Sequence, residues 1–255
     1  MTWLLRRRPR PRAPLRMYVF PHSGGTPGEY LRWADALPDV EVHGVQFPGR
    51  GGRYTEAPFT RMAPAVAALL AAVEFRAPFV FFGHSLGALV AYETALALRA
   101  AGRPQPLRLY ASAYRAPHLH DPGPDLSGLA GAALVAAIER DHGPLPAIVK
   151  DDPELLEMTL PVLQADLGIV ASYRYAPRPP LDCPVSVLGG AGDHETPEQL
   201  AAWDRHTTAG ADVRLFPGGH FYFRERDDDL LQHLAERSHD DLSRTRTVES
   251  PDALP

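Results

Sequence analysis

One five-residue turn constrains the fold of this chain more than anything else in it. Phe79-Val80-Phe81-Phe82 is an unbroken apolar run, the pattern of a strand covered on both faces of a parallel sheet. Gly83-His84-Ser85-Leu86-Gly87 follows at once, and Leu86 to Ala101 is an Ala/Leu-rich helical stretch closed by Gly102. A strand that becomes a helix in so few residues puts strain on the backbone at the apex. Side chains two positions either side would collide there, and glycine stands at both. Ser85 is then held out above the sheet, at the start of a helix whose dipole favours negative charge. In this context G-x-S-x-G reads as a nucleophile elbow.

The rest of the chain fits a mostly parallel sheet flanked by helices, because short β-rich runs alternate with helical ones. The expected strands are Met17 to Phe20, Glu41 to Phe47, Phe79 to Phe82, Leu107 to Ala113, Val185 to Leu188 and Val213 to Phe216. Between them, helices are expected over Glu29 to Leu37, Met62 to Phe75, Leu86 to Ala101, Pro197 to Thr207 and Glu225 to Glu236. From Tyr114 to about Ala176 the pattern is purely helical, with Ala130 to Arg140 and Pro153 to Tyr173 joined by Gly/Pro-rich links at Pro122-Gly123-Pro124 and Gly143-Pro144. Such a block between strands suggests a lid, so residues 1–113 and 177–237 are read as one discontinuous core and 114–176 as its lid. Leu160, Leu163 and Leu167 recur there at helical spacing, as pocket wall or as plain packing. Residues 238–255 are charged, end in proline and are expected to be disordered.

A serine hydroxyl needs an adjacent base, itself oriented by an acid. In this arrangement the partners follow in chain order, each on a loop after a later strand. Strand Val185 to Leu188 runs into Gly189-Gly190-Ala191-Gly192-Asp193-His194-Glu195, which makes Asp193 the expected acid and Glu195 the alternative. Thr196 before Pro197 is the better cap for the next helix, which leaves Asp193 available. The last strand runs into Pro217-Gly218-Gly219-His220, and His220 is the expected base. The chain has 11 histidines, but His206, His233 and His239 lie in or beside expected helices. An oxyanion hole needs two backbone amides. Leu86 supplies one, and the loop Pro21-His22-Ser23-Gly24-Gly25 the other, through Ser23 or alternatively Gly24.

The bulk numbers narrow the function further. At 255 residues, 45% hydrophobic and with a net charge of -5, the chain is an ordinary globular one with no general attraction to nucleic acid or anionic membrane. Its basic start (Arg6, Arg7, Arg8, Arg10, Arg12 and Arg16) is interleaved with prolines and lacks the apolar run of a secretory signal. No stretch reaches roughly 18 unbroken apolar residues. A single cysteine, Cys183, rules out an intrachain disulfide, reads as a small core residue and agrees with a cytoplasmic location.

Taken together, F-P-H-S-G-G, F-P-G-R-G-G-R, G-H-S-L-G-A, L-D-C-P-V-S-V-L-G-G and F-P-G-G-H-F resemble the type II (editing) thioesterases of polyketide and nonribosomal peptide biosynthesis, members of the α/β-hydrolase superfamily. The resemblance runs from about Trp3 to His233 and extends to the lid through Pro153-Glu154-Leu155-Leu156, Pro161 to Asp166 and Tyr173-Arg174-Tyr175. It implies the α/β-hydrolase fold, a Ser85–Asp193–His220 triad, a Ser23/Leu86 oxyanion hole, and hydrolysis of an acyl thioester on a phosphopantetheine arm. No metal or other cofactor is implied. The chain has no G-x-D-S-L-type carrier attachment serine, so a separate carrier protein, met transiently by a monomeric enzyme, is the expected partner. The lid stretch Asp141 to Pro146 departs from the family's pattern, and no acyl preference follows from it. Competing readings are a carboxylester hydrolase of the same fold and a non-catalytic binding protein.

Overall fold

Among the described residues, seven strands, six of them parallel to one another, form the sheet on which the helices are hung. The computed structural model describes residues 2–248 apart from 124, 125, 127, 143, 144, 146, 225 and 226. In chain order the strands are β1 Leu4–Leu5, β2 Leu15–Phe20, β3 Val40–Val45, β4 Phe79–His84, β5 Leu109–Ser112, β6 Val185–Gly190 and β7 Ala211–Phe216. Their spatial order is β1-β3-β2-β4-β5-β6-β7, with β1 alone antiparallel. The helices are α1 Gly28–Leu31, α2 Met62–Ala72, α3 Leu86–Ala100, α4 Gly131–His142, α5 Ala147–Lys150, α6 Pro153–Ser172, α7 Pro197–Ala201 and α8 Asp228–Val248.

Strand alternation explains how the sheet is covered on both sides. Tyr18, Phe20, Phe79 and Phe81 join Leu69, Leu89 and Tyr92 of α2 and α3 in one core. Met17, Val19, Val80 and Phe82 join Tyr30, Trp33, Leu230 and Leu234 in the other. The chain leaves β2 outward to β3 and returns on the other side as β4, which opens a crevice at the carboxyl ends of β2 and β4, where open α/β sheets bind ligands. Cys183 is buried in the first core, and burial pushes its thiol up to about 12.

Between β5 and β6 the chain is helical, as its pattern indicated. Leu134 and Ile138 of α4 meet Leu163 of α6 in a small core of their own, with Leu160 and Leu167 against it. The start of α6 is capped by Asp152, which accepts from the amides of Glu154 and Leu155, and Pro153 occupies the first turn. Among the described helices only α6 is long and apolar enough to cross a membrane, yet Val162, Leu163, Ala165, Asp166 and Ile169 are buried against the protein. Pro124 and the Gly143-Pro144 link lie outside the described residues.

Two expectations need correction. The segment from 238 is not a disordered tail as far as Val248: α8 continues through it. Ser238 and Asp241 are buried, and Asp241 meets the buried Arg108 at 2.8 Å, which holds the helix to the sheet beyond the point where its apolar periodicity fades. The basic start is tied to the sheet edge: Leu4 and Leu5 pair with Val45 and Gly44, Arg6 meets Glu41, and Arg7 and Arg8 meet Asp35. Finally, the helices expected over 29–37 and 197–207 each begin as α-helix and tighten into a 3-10 turn, over Arg32–Asp35 and Ala202–His206.

Candidate active site

Ser85 occupies the turn between β4 and α3 with φ 55° and ψ −125°, a conformation rare for a residue with a side chain. The neighbours make it possible. A Cβ on Gly83 would run into the backbone of Gly87, and one on Gly87 into the carbonyl of Phe20, so both positions require glycine. The Ser85 amide donates to the Ser112 carbonyl at 2.8 Å, which ties the strained turn to β5. His84, wholly buried beside it, shares a 2.8 Å hydrogen bond with the Ser112 hydroxyl. Leu86 opens α3, so its amide has no carbonyl a turn earlier in the helix to bond.

The loops after β6 and β7 meet over the same sheet edge, joined by the Gly192 amide donating to the Gly218 carbonyl at 2.8 Å. They bring His220 Nδ1 to 3.0 Å from Asp193 Oδ2 and 3.2 Å from Oδ1. Glu195 is turned elsewhere, its carboxylate held by Arg115 Nε at 2.9 Å. Of the two candidate acids, the structure brings Asp193 to His220.

Asp193 serves a second imidazole as well. His194 Nδ1 lies 2.8 Å from Asp193 Oδ1, and its ring stacks on His220 with centroids 5.4 Å apart. Burial works to raise the Asp193 carboxyl, but the bonds from His194 and His220 outweigh it and hold the group well below the usual carboxylate range. Asp193, secondarily Glu195, raise His194 to about 9. Ligand-type atoms of Asp193, His194 and His220 fall within 4.8 Å of one another, and the two imidazoles' bonds to one carboxylate account for this closeness.

Ser85 and His220 line a cavity of about 430 Å³, together with Ser23 and Gly24 after β2 and with Ile138, Leu163 and Leu167 from the helical insert. The Gly24 amide donates to Asp166 Oδ2 at 2.7 Å and the Gly25 amide to the His22 carbonyl at 2.9 Å, so both are committed. Of the three expected lid positions, Leu163 and Leu167 reach the cavity; Leu160 does not, and packs inside the lid while Thr159 takes a place on the wall.

Sequence reasoning missed several residues of the cavity wall. Arg224 lies 3.6 Å over the Phe221 ring and is paired with Glu29 at 2.6 Å, and all three line the cavity. His22 also lines it and bonds the Tyr30 hydroxyl at 2.7 Å; burial, then the Arg224 charge, hold its pKa well below the ordinary value. No spacing rule links residues 22, 29 and 224; only the presence of aromatic and charged residues after His220 hinted at them.

Residues 16–242 match the family model described as "Thioesterase domain". The chain belongs to the thioesterase domain family. It is 35% identical over 241 residues to the thioesterase PikA5 of Streptomyces venezuelae, covering 92% of this chain and 84% of that protein. Among solved structures it is similar to RedJ, a thioesterase from the prodiginine biosynthetic pathway in Streptomyces coelicolor, with a TM-score of 0.82 and 39% identity over 89% of this chain and 86% of that one. The type II thioesterase BorB from the borrelidin biosynthetic cluster gives a TM-score of 0.82 at 34% identity, covering 92% and 96% of the two chains. The thioesterase is thus a serine hydrolase acting on thioesters, on the α/β-hydrolase fold, and its likeness to type II thioesterases extends well beyond the G-x-S-x-G motif.

Proposed function

We propose that this thioesterase removes aberrant or stalled acyl groups from the phosphopantetheine arm of a separate carrier protein on a polyketide or nonribosomal peptide assembly line. The observation that carries the reading is the joint placement of a strained serine and an aspartate-bonded histidine on one largely apolar-walled cavity. Ser85 attacks the thioester carbonyl while His220 takes its proton. Asp193 at His220 Nδ1 fixes the tautomer in which the other ring nitrogen carries no proton and acts as the base. The amides of Leu86 and Ser23 receive the developing oxyanion; commitment of the Gly24 amide to Asp166 favours Ser23 over its neighbour. The thiol leaves with the His220 proton, and water activated by the same histidine then hydrolyses the acyl-serine. This sequence of steps uses only side chains and backbone amides of the chain.

Mass spectrometry of a panel of carrier proteins loaded with acetyl, medium-chain and aminoacyl groups tests the reading. Free carrier is expected to appear with the parent enzyme, and Ser85→Ala is expected to be slower by roughly 10⁴- to 10⁶-fold while keeping its fold. Retained activity in folded Ser85→Ala removes the proposed nucleophile. Rapid cleavage of oxygen esters with every carrier left loaded would make it a carboxylester hydrolase instead.

A further inference from the structure

Asp166 is a charged residue in the middle of the lid helix α6, and it is almost wholly out of solvent, at 3% exposure. Its partner Arg50, 7% exposed, comes from the loop after β3. Arg50 Nη2 meets Asp166 Oδ1 at 2.7 Å and Nη1 meets Oδ2 at 2.9 Å, a two-pronged pairing that fixes direction as well as distance. Both groups then reach the loop after β2. Asp166 Oδ2 accepts the Gly24 amide at 2.7 Å, and Arg50 Nη1 donates to the Gly25 carbonyl at 3.2 Å. Leu163, one turn earlier on α6, packs against Gly24 and lines the cavity.

Burying two charges costs more than an apolar contact of the same size would, so such a pair is a poor device for simple adhesion. What it does provide here is orientation. The peptide unit between Ser23 and Gly24 is planar, so a bond at the Gly24 amide sets the plane of that whole unit, immediately after the Ser23 amide. Gly24 and Gly25 give the loop no stiffness of their own, and Gly24 has a φ of +70°.

We propose that Asp166 and Arg50 are positioning residues of the oxyanion hole. Their ion pair transmits the seating of α6 to the His22–Gly25 loop and so holds the Ser23 amide toward the carbonyl that Ser85 attacks. The inference rests on the assignment of Ser85 and Ser23 made above. It makes the oxyanion hole complete only when α6 is seated, and couples the acyl-lined wall to the reacting centre.

The test uses a trifluoromethyl ketone thioether, which adds to the serine and places an oxyanion in the hole, beside an unreactive amide analogue of the substrate. Asp166→Asn keeps an oxygen for the Gly24 amide but loses the charge that holds Arg50; Arg50→Lys keeps the charge but loses the fork. Each is expected to lower kcat by roughly 10²-fold, the scale of losing one oxyanion donor, with KM nearly unchanged. Affinity for the ketone is expected to fall by the same factor, and affinity for the amide to stay the same. Unchanged kcat in either folded variant overturns the inference, and so does a loss of kcat without a matching loss of ketone affinity. Failure of the underlying assignment looks different: the parent and Ser85→Ala would then bind the ketone equally.

Discussion

At the scale of single residues, the site is a contest for one carboxylate. Asp193 accepts from both His220 and His194, while Glu195, two positions on, is engaged by Arg115. Replacing each acid separates their roles. Asp193→Asn is expected to lower turnover at neutral pH by roughly 10⁴-fold, as loss of an orienting acid does, and Glu195→Gln by less than about 10-fold. Steady-state hydrolysis of a soluble thioester measures both, and the reverse ranking would reassign the acid. His194 is also expected to make stability depend on pH. Its folded pKa is raised to about 9 by Asp193 and then Glu195. A raised base binds its proton more tightly folded than unfolded, so its contribution is fully present below about 6.5 and lost as pH rises through the folded value. Urea midpoints between pH 6 and 9.5 should therefore fall more steeply for the parent than for His194→Gln. Parallel curves would show that the His194–Asp193 contact adds nothing, which its partly exposed ring leaves as the competing outcome.

Among the elements, the helical insert is tied to the core unevenly along its length. The second half of α6 is tied down by Asp166 and buried through Val162, Leu163, Ala165 and Ile169. By contrast, among the described residues, α4 packs through the small core that Leu134 and Ile138 form with Leu163. Local opening follows buried contact, so amide hydrogen exchange is expected to be faster in α4 than in β4 or in α6 from Val162 onward. Equal protection across all three would make the insert a rigid part of the body. Leu163 is the wall residue that touches both lid and site. Leu163→Ala enlarges the cavity and is expected to shift relative rates toward longer acyl groups, read as kcat/KM over a chain-length series. A uniform fall across the series would assign Leu163 to packing alone.

For the molecule as a whole, the last helix is the element whose extent composition concealed. Arg108, 2% exposed at the start of β5, is met by Asp241 from α8, with Ser186 at 3.0 Å on its other side. Removing Asp241 leaves a buried guanidinium short of its main counter-charge, so Asp241→Ala is expected to cost about 3 kcal/mol in urea unfolding. No change would mean that residues beyond Ser238 are as dispensable as their charge suggested. That contrast marks what could be read from the chain by itself. The parallel order, the elbow at Ser85, the helical insert and the loops carrying Asp193 and His220 were legible because local rules write them: apolar runs, alternation, and glycines beside strand ends. The tie of Glu195 to Arg115, the commitment of the Gly24 amide to Asp166, the place of Arg224 on the cavity wall and the continuation of α8 were not. Each depends on a partner 80 or more residues away, as with Arg115 and Glu195, Gly24 and Asp166, Glu29 and Arg224, or Arg108 and Asp241. Local periodicity carries no information about such pairings, because a charged side chain has the same local signature whether it ends in water or against a buried counter-charge, and only the folded sheet decides which.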